Sequence, residues 1–227
     1  MNNPSPPTST SISPRGGLLT RLWKVELLAL ALAGLACWRF PLFHIVPLKQ
    51  AEQERTAGVL DAAKVAMEFW ETKLLPGAER AVDVKELLTS LANDPAAARK
   101  QHGRTLGLGG ATLFLVRGSG KVKAVEGEAI IVALDGTDAK VSLSTGLLFG
   151  NTVRDATGLL DVSAYPNSQD FNDLSTQLNR IVETRVAPAL RAKAAVGKAI
   201  RFAGCAELEE DAKPDVMPVI PINVEWP

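Results

Sequence analysis

An α+β fold is predicted by three observations. Residues 49–104 repeat apolar side chains at helical spacing. From Ala111 onward the chain switches to alternating and short apolar runs broken by Gly and Asp-Gly, the marks of strands and turns. Those runs fall in the order three strands, a helix, two strands. That is the order of an OB-fold. The expected architecture is therefore an N-terminal membrane helix, a helical segment, then an OB-like five-stranded Greek-key β-barrel with a helix between strands 3 and 4. Periodicity does not establish that a barrel closes, and an α+β sandwich is the alternative.

The net charge of zero, from 25 basic and 25 acidic side chains, hides a division. Residues 1–48 carry four basic groups (Arg15, Arg21, Lys24, Arg39) and one acidic group, Glu26, which leaves residues 49–227 at a net −3. Residues 1–18 are rich in Pro, Ser, Thr and Asn and read as a disordered cytoplasmic tail. Leu27–Trp38 is a charge-free run of twelve residues, the length of a secretory h-region and short of the ~20 residues of a full span. Arg39 can snorkel, and counting on to Phe43 or Ile45 gives a workable span. An uncleaved signal anchor over 19–46 is the preferred reading. A cleaved or lipidated signal and a buried helix of a soluble protein are the alternatives. The basic flank orients the first two alike, with the N-terminus in the cytoplasm and the rest exported. The expected location is the inner membrane, single-pass, with the C-terminal domain on the periplasmic side. Lipidation at Cys37 is not favoured, because Gly34-Leu35-Ala36 is a poor lipobox order.

Residues 47–104 form the helical segment. Leu60, Ala63, Met67, Trp70 and Leu74 trace one face of a helix over Gln50–Leu75, which Pro76-Gly77 is expected to end. Asp83 can cap a second helix carrying Leu87, Leu88 and Leu91, and Asp94-Pro95 starts a short third. Residues 105–227 form the OB-like part, joined by the Gly-rich connection 105–112. Its strands are expected at Leu113–Glu126, bent or bulged at Gly118 and Gly120, at Ala129–Leu134, and at Lys140–Ser144, which Gly146–Arg154 can extend. A helix capped by Asp170 follows, with Phe171, Leu174, Leu178 and Ile181 as its stripe and Pro188 breaking or restarting it. Lys198–Leu208 and Met217–Trp226 are the closing strands. Residues 47–227 are expected to make one exported unit.

Composition excludes several functions. Two cysteines are too few for a disulfide scaffold, and two histidines leave little for metal or acid–base chemistry. The net-acidic body lacks the basic, aromatic-lined groove that single-stranded nucleic acid requires, so no nucleic-acid partner is expected. No nucleophile elbow, His-base arrangement or metal motif is present, so the expectation is a non-enzyme with no catalytic residue, metal or cofactor.

Five stretches carry a family resemblance. They are Ile45-Val46-Pro47-Leu48; Trp70-Glu71-Thr72-Lys73 with Pro76; Phe114 through Val122; Gly150-Asn151-Thr152-Val153-Arg154-Asp155-Ala156 with Asp170-Phe171-Asn172 and Leu178-Asn179; and Val196-Gly197-Lys198. In their order and spacing the chain resembles the bacterial periplasmic lipoproteins of domain-of-unknown-function family 2291. The resemblance implies export to the periplasmic side of the inner membrane. It also implies association with simple-sugar ABC transport systems, whose components are the expected partners besides the membrane itself. The family's lipidated cysteine stands just before the segment matching Ile45; here that place is Phe43-His44, which favours a protein anchor.

The candidate ligand site is Arg154-Asp155, expected at a strand end before a loop, where an Arg–Asp pair can hold a sugar or a carboxylate. A purely structural pair is the alternative. Asp170 and Asn172 are read mainly as helix-capping residues, with ligand contact as a second role. Cys205 reads as core, the aromatics Phe69 and Trp70 as core or partner-docking residues, and the acidic run Glu207, Glu209, Glu210, Asp211 as a solvated hairpin loop.

Overall fold

Asp61 opens the first helix by accepting a hydrogen bond from the Lys64 N–H at 3.0 Å, which satisfies one of the donors a helix start leaves free. In the computed structural model the described residues are 61–105, 110–160, 165, 167–210, 212 and 215–227. The expected tail 1–18, the segment 19–46 with Cys37, the start of the first helix and positions 106–109 of the Gly-rich connection lie outside them. Among the described residues no helix is long and apolar enough to cross a membrane.

Helix α1 (Ala62–Phe69) does not stop at Pro76. It runs on through a π turn (Trp70–Leu74), a short α2 (Leu75–Gly77) and a 3₁₀ turn (Ala78–Arg80). The reason is local. Proline lacks an N–H, and its ring opposes the carbonyl four residues back. The preceding Leu75 N–H bonds to the Trp70 carbonyl, five residues back, and so opens the turn. After β1 (Val82–Asp83), helix α3 (Val84–Asn93) starts on Asp83, which accepts from the Lys85 N–H at 2.8 Å. Helix α4 (Pro95–His102) starts on Asp94, which accepts from the Ala97 N–H at 3.0 Å, and it leads directly into β2 (Gly103–Thr105). The two short strands β1 and β2 were not expected.

The main strands are β3 (Thr112–Glu126), β4 (Ala129–Leu134), β5 (Lys140–Ser144), β6 (Ala199–Leu208) and β7 (Val216–Glu225). β3 pairs with β4, β4 with β5, β5 with β7, β7 with β6, and β6 with β3 again. The pairings thus form a closed circuit, parallel at β5–β7 and antiparallel elsewhere. The register shift in β3 lies between Val122 and Ala124, not at the expected glycines. Gly118 and Gly120 serve close approach instead. A Cβ on Gly118 would lie 2.7 Å from Val84 Cγ1 and 2.8 Å from Phe202 Cζ, and one on Gly120 would collide with the Ala133 carbonyl.

Alternation along the strands divides the apolar side chains between two cores. Phe114, Val116, Val122, Ile130, Val132, Val141, Leu143, Ile200, Phe202, Met217 and Val219 meet inside the circuit, with Val84 and Leu87 of α3 and Leu190 packed against them. Leu113, Ala203, Cys205 and Ile222 point to the other face and meet Phe69, Trp70 and Leu74. Each such aliphatic side chain, fully buried, contributes roughly 1.5–3 kcal/mol.

Between β5 and β6 the expected strand extension Gly146–Arg154 is absent. Thr145 to Asn151 is irregular and leads into a helical turn, α5 (Thr152–Asp155); β4 begins at Ala129, opposite Ser144, and offers no ladder partner beyond it. Helix α6 (Ser168–Ile181) begins on Asn167, whose side chain accepts from the Asp170 N–H at 2.8 Å; Asp170 is therefore inside the first turn, not the cap. Leu174, Leu178 and Ile181 are buried as expected and join the second core. Pro188 does not break the helix either. A π turn (Val182–Val186), closed by the Ala187 N–H on the Val182 carbonyl, carries it into α7 (Ala187–Lys193).

Both π turns sit on the same residue pattern, Glu71-Thr72-Lys73 with Pro76 and Glu183-Thr184-Arg185 with Pro188. In each, the threonine hydroxyl donates at 2.7 Å to the carbonyl four residues back. Replacing Gly120 by alanine should lower unfolding stability by about 1–3 kcal/mol through overpacking against β4. Denaturant titration of the solubilised chain measures this, and an unchanged midpoint would refute the close-approach role.

Candidate functional site

Arg154 and Asp155 lie on α5, not at a strand end, and both are buried. Their side chains face each other as a fork. Arg154 Nε donates to Asp155 Oδ1 and Nη2 donates to Oδ2, each at 2.7 Å. Asn151 Nδ2 adds a third bond to Oδ2 at 2.9 Å. Arg154 Nη1 donates to the Phe171 carbonyl at 3.1 Å, and the guanidinium carbon stands 3.5 Å above the Phe171 ring. Tyr165 packs on that ring at 5.5 Å. The hydrogen-bonding capacity of the pair is thus directed to the protein itself, and it fastens α5 to α6.

Other bonds staple the same connection. Glu183 accepts from the Leu148 N–H at 2.7 Å, Asn179 donates to the Gly150 carbonyl at 3.0 Å, and the Thr152 hydroxyl donates to Glu207. Glu207 therefore stands within β6, facing α5, and is not part of the hairpin loop. Of the two remaining expected site residues, Asp170 accepts from Asn167 Nδ2 at 3.0 Å. Asn172 is exposed, and its carbonyl accepts from the Thr176 hydroxyl at 3.2 Å. Arg154 and Asp155 are brought together with the backbone of Phe171. Asp170 and Asn172 bond within α6 and its cap.

Among the described residues, two larger concave places lie away from this pair. The larger is a groove of about 460 Å³ on the outer face of β3, β6 and β7. Register explains its lining. Ser119, Arg201 and Glu225 stand opposite one another across three strands, and Arg117, Ala203 and Asn223 form the next row. Glu79 and Asp83 close one side, and Arg117 Nη1 donates to the Glu79 carbonyl at 3.2 Å. The second is a cleft of about 400 Å³ where β1 and β2 meet β3. The groove was missed because alternation marks Arg117, Ser119, Arg201, Asn223 and Glu225 as one-face residues, whereas only pairing register brings them into one patch. Among the described residues, no group of three or more His, Cys, Asp or Glu could hold a metal ion.

Comparison with known proteins places these features. The family described as "Predicted periplasmic lipoprotein (DUF2291)" matches residues 27–225. The crystal structure of an OB-fold protein from Thermotoga maritima superposes with a TM-score of 0.65 at 24% identity, covering 74% of this chain and 99% of that one. This likeness shows the fold. A search of curated proteins finds no match.

Removing one member of the Arg154–Asp155 pair leaves the other charge buried and uncompensated. Asp155→Ala should therefore cost about 3–5 kcal/mol in a denaturant titration, and a loss below about 1 kcal/mol would show that the pair is not structural. Burial pushes the Cys205 thiol up to about 12. Near pH 8 it is overwhelmingly protonated and should resist iodoacetamide until the chain unfolds. Mass spectrometry of the Cys205 peptide reads this directly; rapid labelling in the folded state would contradict the burial.

Proposed function

The chain belongs to the DUF2291 family of predicted periplasmic lipoproteins, and on that premise we propose that it is a non-enzymatic accessory module, held at the membrane, that serves solute uptake on the periplasmic side. The family supports a periplasmic, membrane-associated location. The finer reading is a single-pass anchor over 19–46 with the OB-like part outside, and the partner class is a simple-sugar ABC transporter. The observation that carries the proposal is the extent of the family match, which runs from the apolar segment at Leu27 through the last strand and so spans address and folded domain together. The polar side chains gathered around α5 support a structural role, since Arg154, Asp155, Asn151, Thr152 and Asn179 are engaged with one another, with β6 and with the backbone.

A second reading is a carbohydrate-binding protein. It is favoured by the groove on β3, β6 and β7, whose volume lies in the range of small-molecule sites and whose Arg201, Asn223 and Glu225 offer donors and acceptors to hydroxyl groups. The Arg154–Asp155 pair, expected to be that site, is turned inward.

In crosslinked membranes the chain should co-purify with a permease or solute-binding protein of a sugar ABC system, and its deletion should slow uptake of that sugar. Recovery of no such component together with unchanged uptake sinks the proposal. For the second reading, thermal melts across a carbohydrate panel should give a shift that Arg201→Ala abolishes; a panel with no shift counts against it.

A further inference from the structure

The cleft between β1 and β2 has a composition that the proposed module does not use. β2 pairs with β3 as far as Phe114, and β1 takes over at Val116. Leu115 lies between the two pairings and lines the cleft floor. The 3₁₀ turn that delivers β1 brings Arg80, and the end of α4 with β2 brings Gln101, His102 and Arg104. The segment after α5 supplies Thr157 on the far wall.

The charged side chains among these described lining residues are Arg80 and Arg104, with the His102 imidazole beside them, and no carboxylate is among the lining. The body of the protein is net acidic, so this concentration of one sign is local. Among the described residues the only ion pair is Arg154–Asp155, so neither Arg80 nor Arg104 is neutralised by a carboxylate of that set. Arg104 is also seated. Its guanidinium lies across Gly158, at φ +60°, in the space a Cβ would occupy. A side chain there would both strain the backbone and expel the arginine.

We propose that this cleft binds a compact oxyanion, a carboxylate or phosphate group, held by Arg80 and Arg104 with His102 and Gln101 at its edge. The chemistry is that of the guanidinium fork, whose paired N–H groups match two oxygens of a carboxylate or phosphate. The volume of about 400 Å³ accommodates a small molecule carrying that group. With an acidic body behind it, the attraction is short-ranged and weakens with added salt. The inference is independent of the transport reading, since it concerns a different face and a different ligand chemistry from the polar groove.

The test is calorimetric titration of the detergent-solubilised full chain with inorganic phosphate, citrate and monomeric short-chain phosphatidylglycerol, with glucose as the neutral control. At least one anion should bind saturably at one site, with no saturable heat from glucose. Arg80→Gln and Arg104→Gln should each weaken binding by about tenfold or more, the scale of a lost charge-assisted hydrogen bond. Arg201→Gln, in the other groove, should leave it unchanged. Binding of phosphate or citrate identifies a soluble anion, and binding of phosphatidylglycerol alone identifies a lipid headgroup; both carry the proposal. Arg104→Lys keeps the charge and loses the fork, so it should weaken binding less than Arg104→Gln, which guards against a folding defect in the glutamine variant. The proposal is overturned if none of the three anions binds, or if binding is indifferent to both Arg80→Gln and Arg104→Gln.

Discussion

Both pairings that join the helical segment to the sheet run through β3. At fifteen residues and about 3.3 Å each it is long enough to serve several neighbours in succession. One edge is occupied by β6 from Thr112 to Lys121. The other must then take β2, β1 and β4 in turn, at Thr112–Phe114, Val116–Arg117 and Gly120–Glu126. A flat strand of that length could not also belong to a closed circuit of pairings. The shift between Val122 and Ala124 supplies the bend, and Gly118 and Gly120 admit Phe202, Val84 and the β4 backbone at the crowded middle. The helices are thereby attached by hydrogen bonds as well as by apolar contact, and both concave sites inherit their walls from this arrangement.

Polar side chains divide into two populations. Those around α5, of which Thr152, Arg154, Asp155 and Asn179 are buried, are bonded to one another or to nearby backbone, and they hold an irregular connection that has few ladder bonds of its own. Such groups are costly to bury unless fully partnered, which makes their geometry decisive for that region. Those in the groove and cleft sit on regular elements and face outward. A rigid scaffold with polar groups aimed at solvent is the usual platform for recognition. The distinction separates the outward-facing polar groups from the residues that local sequence made conspicuous.

The sequence carried the strand order well, because each core strand announces itself locally. Ile130, Val132 and Leu134 alternate, and the Asp135-Gly136 turn falls where Gly136 takes φ +75°. Asp83 and Asp94 were legible as caps for the same reason. What escaped depends on partners distant in sequence. β1 and β2, at two and three residues, have no periodicity to read, and they exist because β3 offers them an edge. Pro76 and Pro188 are strong local stop signals, and a π turn just before each one accommodates the ring. Arg154-Asp155 was noticed as a pair, but its burial follows from Phe171, which closes over it only in three dimensions. The groove and the cleft are products of register, and no single segment contains either.

The two π turns bear on how this chain can change length. A π turn holds one more residue than the α turn it replaces, and so absorbs the roughly 100° by which an extra residue in a continuous α-helix would turn every following side chain. In the second helix the buried positions Leu178 and Val182 are followed by Ala187, a step of five, before the spacing returns to three at Leu190. The π turn absorbs the extra residue and keeps the apolar stripe on the core after it. Losing one residue from Val182–Val186 would leave a sequence still fully capable of forming helix. Ala187 would then follow Val182 by four, the spacing of a regular α-helix, so the stripe would stay on the core. What would be lost is the wide turn, and the Pro188 ring would stand against the carbonyl four residues back. Each π turn therefore absorbs one residue without turning the stripe, and the proline after it favours the wide turn, so a deletion there is opposed by the ring rather than by the core.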